Sequence, residues 1–182
     1  MNHKIIRVIV LFSFVIFSAA CTHVHRIKGY DADPANLKAS KNKKVAVVFL
    51  ESNVRQQYKS SAQGHTFIFE DAKAFLQQAY STALQGFVAS TEFFTNEAGP
   101  GFDVYLYPKL NIEVKSKLIG AYCQVNFEMA AKDRNGKEIG RKYKTKEADI
   151  IIIIKGDETC KDLLLHTYYD PSYEVFQMID NL

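Results

Sequence analysis

Polar and apolar positions divide this chain of 182 residues into an apolar leader, a polar stretch and a patterned remainder. Residues 5–17 are apolar apart from Arg7 and Ser13. Residues 22–44 show no apolar period and contain Asp31, Asp33 and Pro34, which reads as a tether. Residues 44–50 form a short continuous apolar run after a basic cluster, the pattern of a strand buried on both faces. Residues 51–64 are polar and read as a loop, and residues 65–69 fit a short strand or the entry to a helix. Residues 70–89 carry the clearest helical period. Ala72, Leu76, Ala79, Tyr80, Ala83 and Phe87 share one stripe, which Phe75 and Leu84 broaden. Glu70 and Asp71 fall in the expected first turn, where the helix dipole favours acids.

The strongest strand signal follows the turn at Gly99-Pro100-Gly101. Val104, Leu106, Leu110, Ile112 and Val114 alternate with polar residues and two tyrosines. Pro108 cannot donate a ladder bond, so it implies an edge or a bulge. A second alternation runs through Cys123, Val125, Phe127 and Met129. Asn135-Gly136 then predicts a hairpin, since both residues tolerate positive φ. The return strand spans about 137–148 and is largely charged. Five isoleucines, 150–154, read as the buried end of that strand, or else as an exposed edge for a partner. Cys160, Leu163, Leu164 and Tyr168 fit a short amphipathic helix. Asp170-Pro171 then looks like the start of another, with Asp170 as N-cap and Pro171 in first position.

This order predicts an α+β fold. The expectation is a mainly antiparallel sheet of about four strands, with one long helix packed on one face and two short C-terminal helices. Cys123 on the aliphatic face is then within reach of Cys160 at the start of a helix covering that face.

The leader changes the picture most. A basic start, an apolar stretch and small residues at Ser18, Ala19 and Ala20 are the features of a secretory signal peptide. The run is shorter than the ~18–20 residues that span a bilayer as a helix. With Cys21 directly after Ala19-Ala20, the segment resembles bacterial lipoprotein signals, in which a small-residue lipobox precedes an acylated cysteine. Ser18 stands where that family usually has leucine. The resemblance implies a signal peptide over 1–20, lipidation (palmitate included) at Cys21, a lipid-anchored tether over 21–43 and a single periplasmic domain over 44–182. Thr22 after the cysteine, in place of aspartate, implies the outer membrane by the same resemblance. The order of strand, long helix and hairpin also resembles small outer-membrane lipoproteins of Gram-negative bacteria: the lipopolysaccharide-assembly, transporter-auxiliary and YajG-type proteins.

Composition narrows the function classes. Without Lys4 and Arg7, 21 of the 23 basic residues remain against 20 acidic ones. So small an excess does not neutralise a phosphate backbone, and no nucleic-acid partner is expected. An exported chain meets an oxidising compartment, so Cys123 and Cys160 form either a disulfide or two separately buried thiols. His23 and His25 make a His-x-His pair, but two ligands without a third at fixed spacing do not define a metal site. No Gly-x-Ser-x-Gly elbow is present, and Gly99-Pro100-Gly101 lacks the lysine and hydroxyl of a phosphate loop. His65 and His166 have no partner motif, and Cys123 lies on an apolar strand face, a poor place for a nucleophile. Catalytic residues, metal and cofactor are therefore not expected. The expectation is a non-enzymatic, periplasm-facing accessory or docking subunit of a cell-envelope assembly. The alternative is a lipid- or glycan-binding module that uses Tyr105, Tyr107 and Tyr122 as an aromatic platform.

Overall fold

The computed structural model describes residues 21–27, 40–150 and 156–180. The signal expected over 1–20, most of the expected tether and isoleucines 151–154 lie outside them. Strands are β1 Thr22–Arg26, β2 Ser40–Val48, β3 Tyr58–Ala62, β4 His65–Glu70, β5 Val88–Phe94, β6 Val104–Ser116, β7 Ala121–Asp133 and β8 Glu138–Ile150. Two helices, α1 Ala72–Leu84 and α2 Gly156–Asp180, complete the described elements.

The single four-stranded sheet is corrected to two sheets. One has five strands in the order β5-β2-β6-β7-β8, and the other has three in the order β1-β4-β3. The larger sheet is mixed. β2 pairs in parallel with both β5 and β6, while β6, β7 and β8 pair antiparallel. This explains the apolar run in β2. Val45, Ala46 and Val47 are each 0% exposed, because β2 lies inside the sheet and both its faces are covered.

One face of β6 and β7 is aliphatic and buried, and the other is polar and half-exposed. The helices cover the aliphatic face. Within α1, Phe75, Leu76, Ala79, Tyr80 and Leu84 are buried, as the stripe predicts. The helix is shorter than expected, and the acids precede it. Glu70 ends β4 and Asp71 adopts a left-handed conformation before the first turn. Gly86, with φ +78°, stops the chain from continuing as helix, and β5 begins two residues later.

The two C-terminal helices are one. α2 runs for 25 residues with Pro171 inside it. Leu164, Tyr168, Ser172, Val175 and Ile179 stay buried on one face across the proline. Packing on β7 and β8 outweighs the backbone bond that Pro171 removes. Lys142 of β8 pairs with Glu174 at 2.7 Å, and Lys144 pairs with Asp170. Gly140 of β8 leaves space for the helix, since a Cβ there would overlap the Met178 sulfur.

Pro108 sits in an interior strand, at a place where no donor is required. The β2 ladder on β6 stops at Leu106. Leu110 and Val114 send their N–H groups toward the same side, to Asn53 O and Ser60 Oγ. N–H directions alternate along a strand, so Pro108 faces the gap that β2 leaves. Beyond that gap the three-stranded sheet takes over. The Tyr58 hydroxyl donates to Leu110 O at 2.8 Å and the Ser60 hydroxyl to Val114 O at 2.8 Å. Side chains of β3 thus satisfy the backbone that β2 no longer covers.

The hairpin at Asn135-Gly136 is present, with a different turn from the one expected. Gly136 alone has positive φ, at +78°. The Asp133 carboxylate accepts N–H bonds from Asn135 and Lys137, and Gly136 N donates to Asp133 O. This is a three-residue loop with a left-handed glycine, not a two-residue primed turn.

Candidate functional site

Cys21 stands exposed at the start of the described domain. Its carbonyl accepts the Thr66 N–H at 2.9 Å, and from Thr22 the chain is already strand β1, paired in parallel with β4. The expected tether is therefore corrected for residues 22–26, which belong to the smaller sheet. Alternation along β1 turns His23 and His25 toward the aromatic side of β4. The His25 ring is 7% exposed and lies against Phe67 and Phe69. His23 Nε2 meets His65 Nδ1 at 3.0 Å, so one ring donates and the other accepts. The strand closes with the Ile27 N–H on Glu70 O and the Arg26–Glu70 ion pair at 3.3 Å. Among the described residues, no group of three or more His, Cys, Asp or Glu side chains is placed to hold a metal ion.

The polar face of the larger sheet does not assemble the expected tyrosine platform. Tyr105 and Tyr107 lie together near the start of β6. Their hydroxyls donate to Gly99 O at 3.1 Å and to the Glu97 carboxylate at 3.0 Å. Both rings are thereby tied to the preceding loop. Burial, followed by the Glu97 hydrogen bond, pushes the Tyr107 phenol up to about 12. Tyr122 pairs with Lys115, eight residues along β6 from Tyr107. At ~3.4 Å per residue that is about 27 Å away, too far for one small ligand to touch all three. Lys117 sits over the Tyr122 ring at 5.1 Å and Lys132 over Tyr107 at 4.8 Å. Between the two places the face is a lattice of polar contacts. Asn111 and then Lys115 hold the Glu113 carboxyl below its usual range, and Arg141 joins Glu128 to Glu138.

Cys123 and Cys160 are joined in a disulfide, with Cα atoms 5.6 Å apart. It links β7 to the second turn of α2 on the aliphatic face. His166 is exposed on α2.

Where β3 meets β6, Tyr58 gives a pH prediction. It is 4% exposed, and burial pushes its phenol up to about 12, partly offset by the Arg55 N–H it accepts. The unfolded chain loses this proton near pH 10. The folded state therefore holds a proton between pH 10 and 12 that the unfolded chain has released. The stabilisation is complete below pH 10 and is lost as pH rises toward 12. The expected decline from this group is ~2–3 kcal/mol. Urea titrations across that range should give a shallower decline for Tyr58→Phe, and an unchanged slope contradicts the assignment.

No protein-family model matches the chain, and no curated protein does. Among solved structures, protein XCC0632 from Xanthomonas campestris, of the DUF330 family, is similar over 87% of this chain and 95% of that one. The TM-score is 0.59 at 10% identity, which shows a shared fold. Lipoprotein GNA1162 from Neisseria meningitidis aligns over 77% of this chain and 99% of that one, with a TM-score of 0.39 at 16% identity.

Proposed function

We propose that this chain is a lipid-anchored envelope protein without catalytic activity. It is held at the outer membrane through Cys21, faces the periplasm and serves as a docking subunit of a larger assembly. The observation that carries this reading is the position of Cys21. It follows Ala19-Ala20, stands exposed, and is joined without slack to β1. A lipid there would hold the small sheet against the bilayer, where a tether of some twenty residues would have let it drift. Docking is supported by β8, a 13-residue strand at the edge of the larger sheet. An edge strand offers a partner backbone groups, while its lysines discourage indiscriminate pairing. The binding-module alternative rested on a tyrosine platform, and the separation of about 27 Å along the sheet removes that support.

The intact mass of the detergent-extracted protein tests the anchor. The expected chain begins at Cys21 and carries acyl groups, whereas an unmodified chain starting elsewhere overturns it. Cys21→Ser is expected to leave the precursor uncleaved and unacylated. Crosslinking in cells then tests docking, and recovery of the lipidated monomer alone argues against it.

A further inference from the structure

The end of the domain that holds Cys21 carries an exposed apolar feature. β6 and β7 remain paired to Ser116 and Ala121, and the chain turns through residues 117–120 beyond them. At this tip Leu118 is 101% exposed and Ile119 90%. The opposite end of the same sheet turns through Arg134, Asn135 and Lys137, as a water-facing hairpin ordinarily does. The apolar tip is braced. Gln63 donates its side-chain amide to Lys117 O at 2.8 Å and Gly120 O at 3.1 Å, and its backbone N–H to Ser116 Oγ at 3.2 Å. Three residues after Gln63, Thr66 donates to Cys21 O. A short hydrogen-bonded path thus fixes Leu118 and Ile119 at the same end of the molecule as the lipid acceptor.

We propose that the Leu118-Ile119 tip inserts into the periplasm-facing leaflet of the membrane beside the Cys21 lipid, as a second, protein-made contact with the membrane. The inference rests on the anchor at Cys21. The occupant it commits to is a bilayer, because the tip shares its end of the domain with the residue that would carry acyl chains. Two fully exposed apolar side chains entering hydrocarbon deepen partitioning by on the order of 100-fold. The Lys117–Asp149 ion pair lies one residue behind the tip, at the level of the headgroups. Acting together, lipid and tip fix the orientation of the domain, with the Asn135-Gly136 hairpin pointing away from the membrane. Each strand of β6 and β7 has 13 residues, so that hairpin stands about 40 Å from the tip.

The test uses full-length protein purified from membranes and reconstituted into phosphatidylethanolamine–phosphatidylglycerol vesicles containing lipids spin-labelled on the acyl chain. An environment-sensitive dye is attached at Leu118→Cys, at Ile119→Cys or, as a reference, at Asn135→Cys. The expected result is blue-shifted emission, quenched by the spin label, at positions 118 and 119, with water-like emission at 135. Water-like emission at 118 and 119, or a blue shift without quenching, overturns the proposal. The intact mass of the same sample separates the two readings. If Cys21 is unmodified, the anchor fails, and adding the vesicles to that protein still decides the tip by the same quenching.

Discussion

Tyr80→Ala is expected to lower the unfolding free energy by about 3–5 kcal/mol, the range for removing a fully buried aromatic ring. Tyr80 is 0% exposed and stands where three elements meet. Its ring is 6.2 Å from Phe49 just past β2, and 6.3 and 6.0 Å from Tyr168 and Phe176 on α2. The hydroxyl adds a smaller, separable part. It meets Ser172 Oγ at 3.1 Å, and Ser172 is only 3% exposed. Tyr80→Phe leaves that serine without its phenol partner and should cost ~1–2 kcal/mol. Pairing Tyr80→Phe with Ser172→Ala should recover part of the loss, since no buried hydroxyl is then stranded. Urea unfolding of the four proteins measures each step. A loss below about 1 kcal/mol for Tyr80→Ala would show that α1 does not hold α2 at this point.

The residues forming that core were largely legible before the fold was known. Alternation in β6 and β7 and the stripe of α1 each depend on one face being buried, and a face leaves a period in the sequence. What escaped was structure whose buried face is not written in aliphatic residues. In β1 the inward positions are His23 and His25, so the strand reads as a polar linker. In β3 only Tyr58 and Ala62 are buried and the residues between them are polar. Its turn, Gln63-Gly64, has φ values of +51° and +77°, a two-residue primed turn made without the asparagine that usually announces it. β5 was hidden because Phe87 happens to continue the period of α1, and Gly86, the stop signal, was overridden by that coincidence. Pro171 misled in the opposite direction. Local rules make it a helix start, but a continuous buried face lets the sheet hold α2 together across it. At the candidate site, Cys21 was readable from the residues before it. That it shares an end of the domain with Leu118 was not, because that depends on how two turns, 63–64 and 117–120, meet in space.

Reduction of the Cys123–Cys160 disulfide is expected to lower stability by about 4 kcal/mol, the chain-entropy value for a crosslink between residues 37 apart. The bond has a specific mechanical role. α2 enters from beyond Ile150, and Cys160 lies in its second turn, directly over Cys123 of the sheet. Farther along, α2 is held by the Lys144–Asp170 and Lys142–Glu174 ion pairs and by its aromatic contacts with α1. These ion pairs are partly exposed and contribute little on their own. The start of the helix therefore depends on the covalent link more than its end does. Equilibrium unfolding in urea, with and without reductant, gives the total effect. Hydrogen exchange gives its location: after reduction, amides in the first turns of α2 should lose protection while those of β6 and β7 keep theirs. Coincident unfolding curves, or two alkylated cysteines in protein that never met a reductant, would show the crosslink to be absent. Both cysteines are buried, at 0% and 2% exposure, so a reductant reaches them only through opening of this end. The rate of reduction in native buffer therefore reports how often α2 lifts from the sheet, and Tyr80→Ala, by loosening the neighbouring contact, should accelerate it.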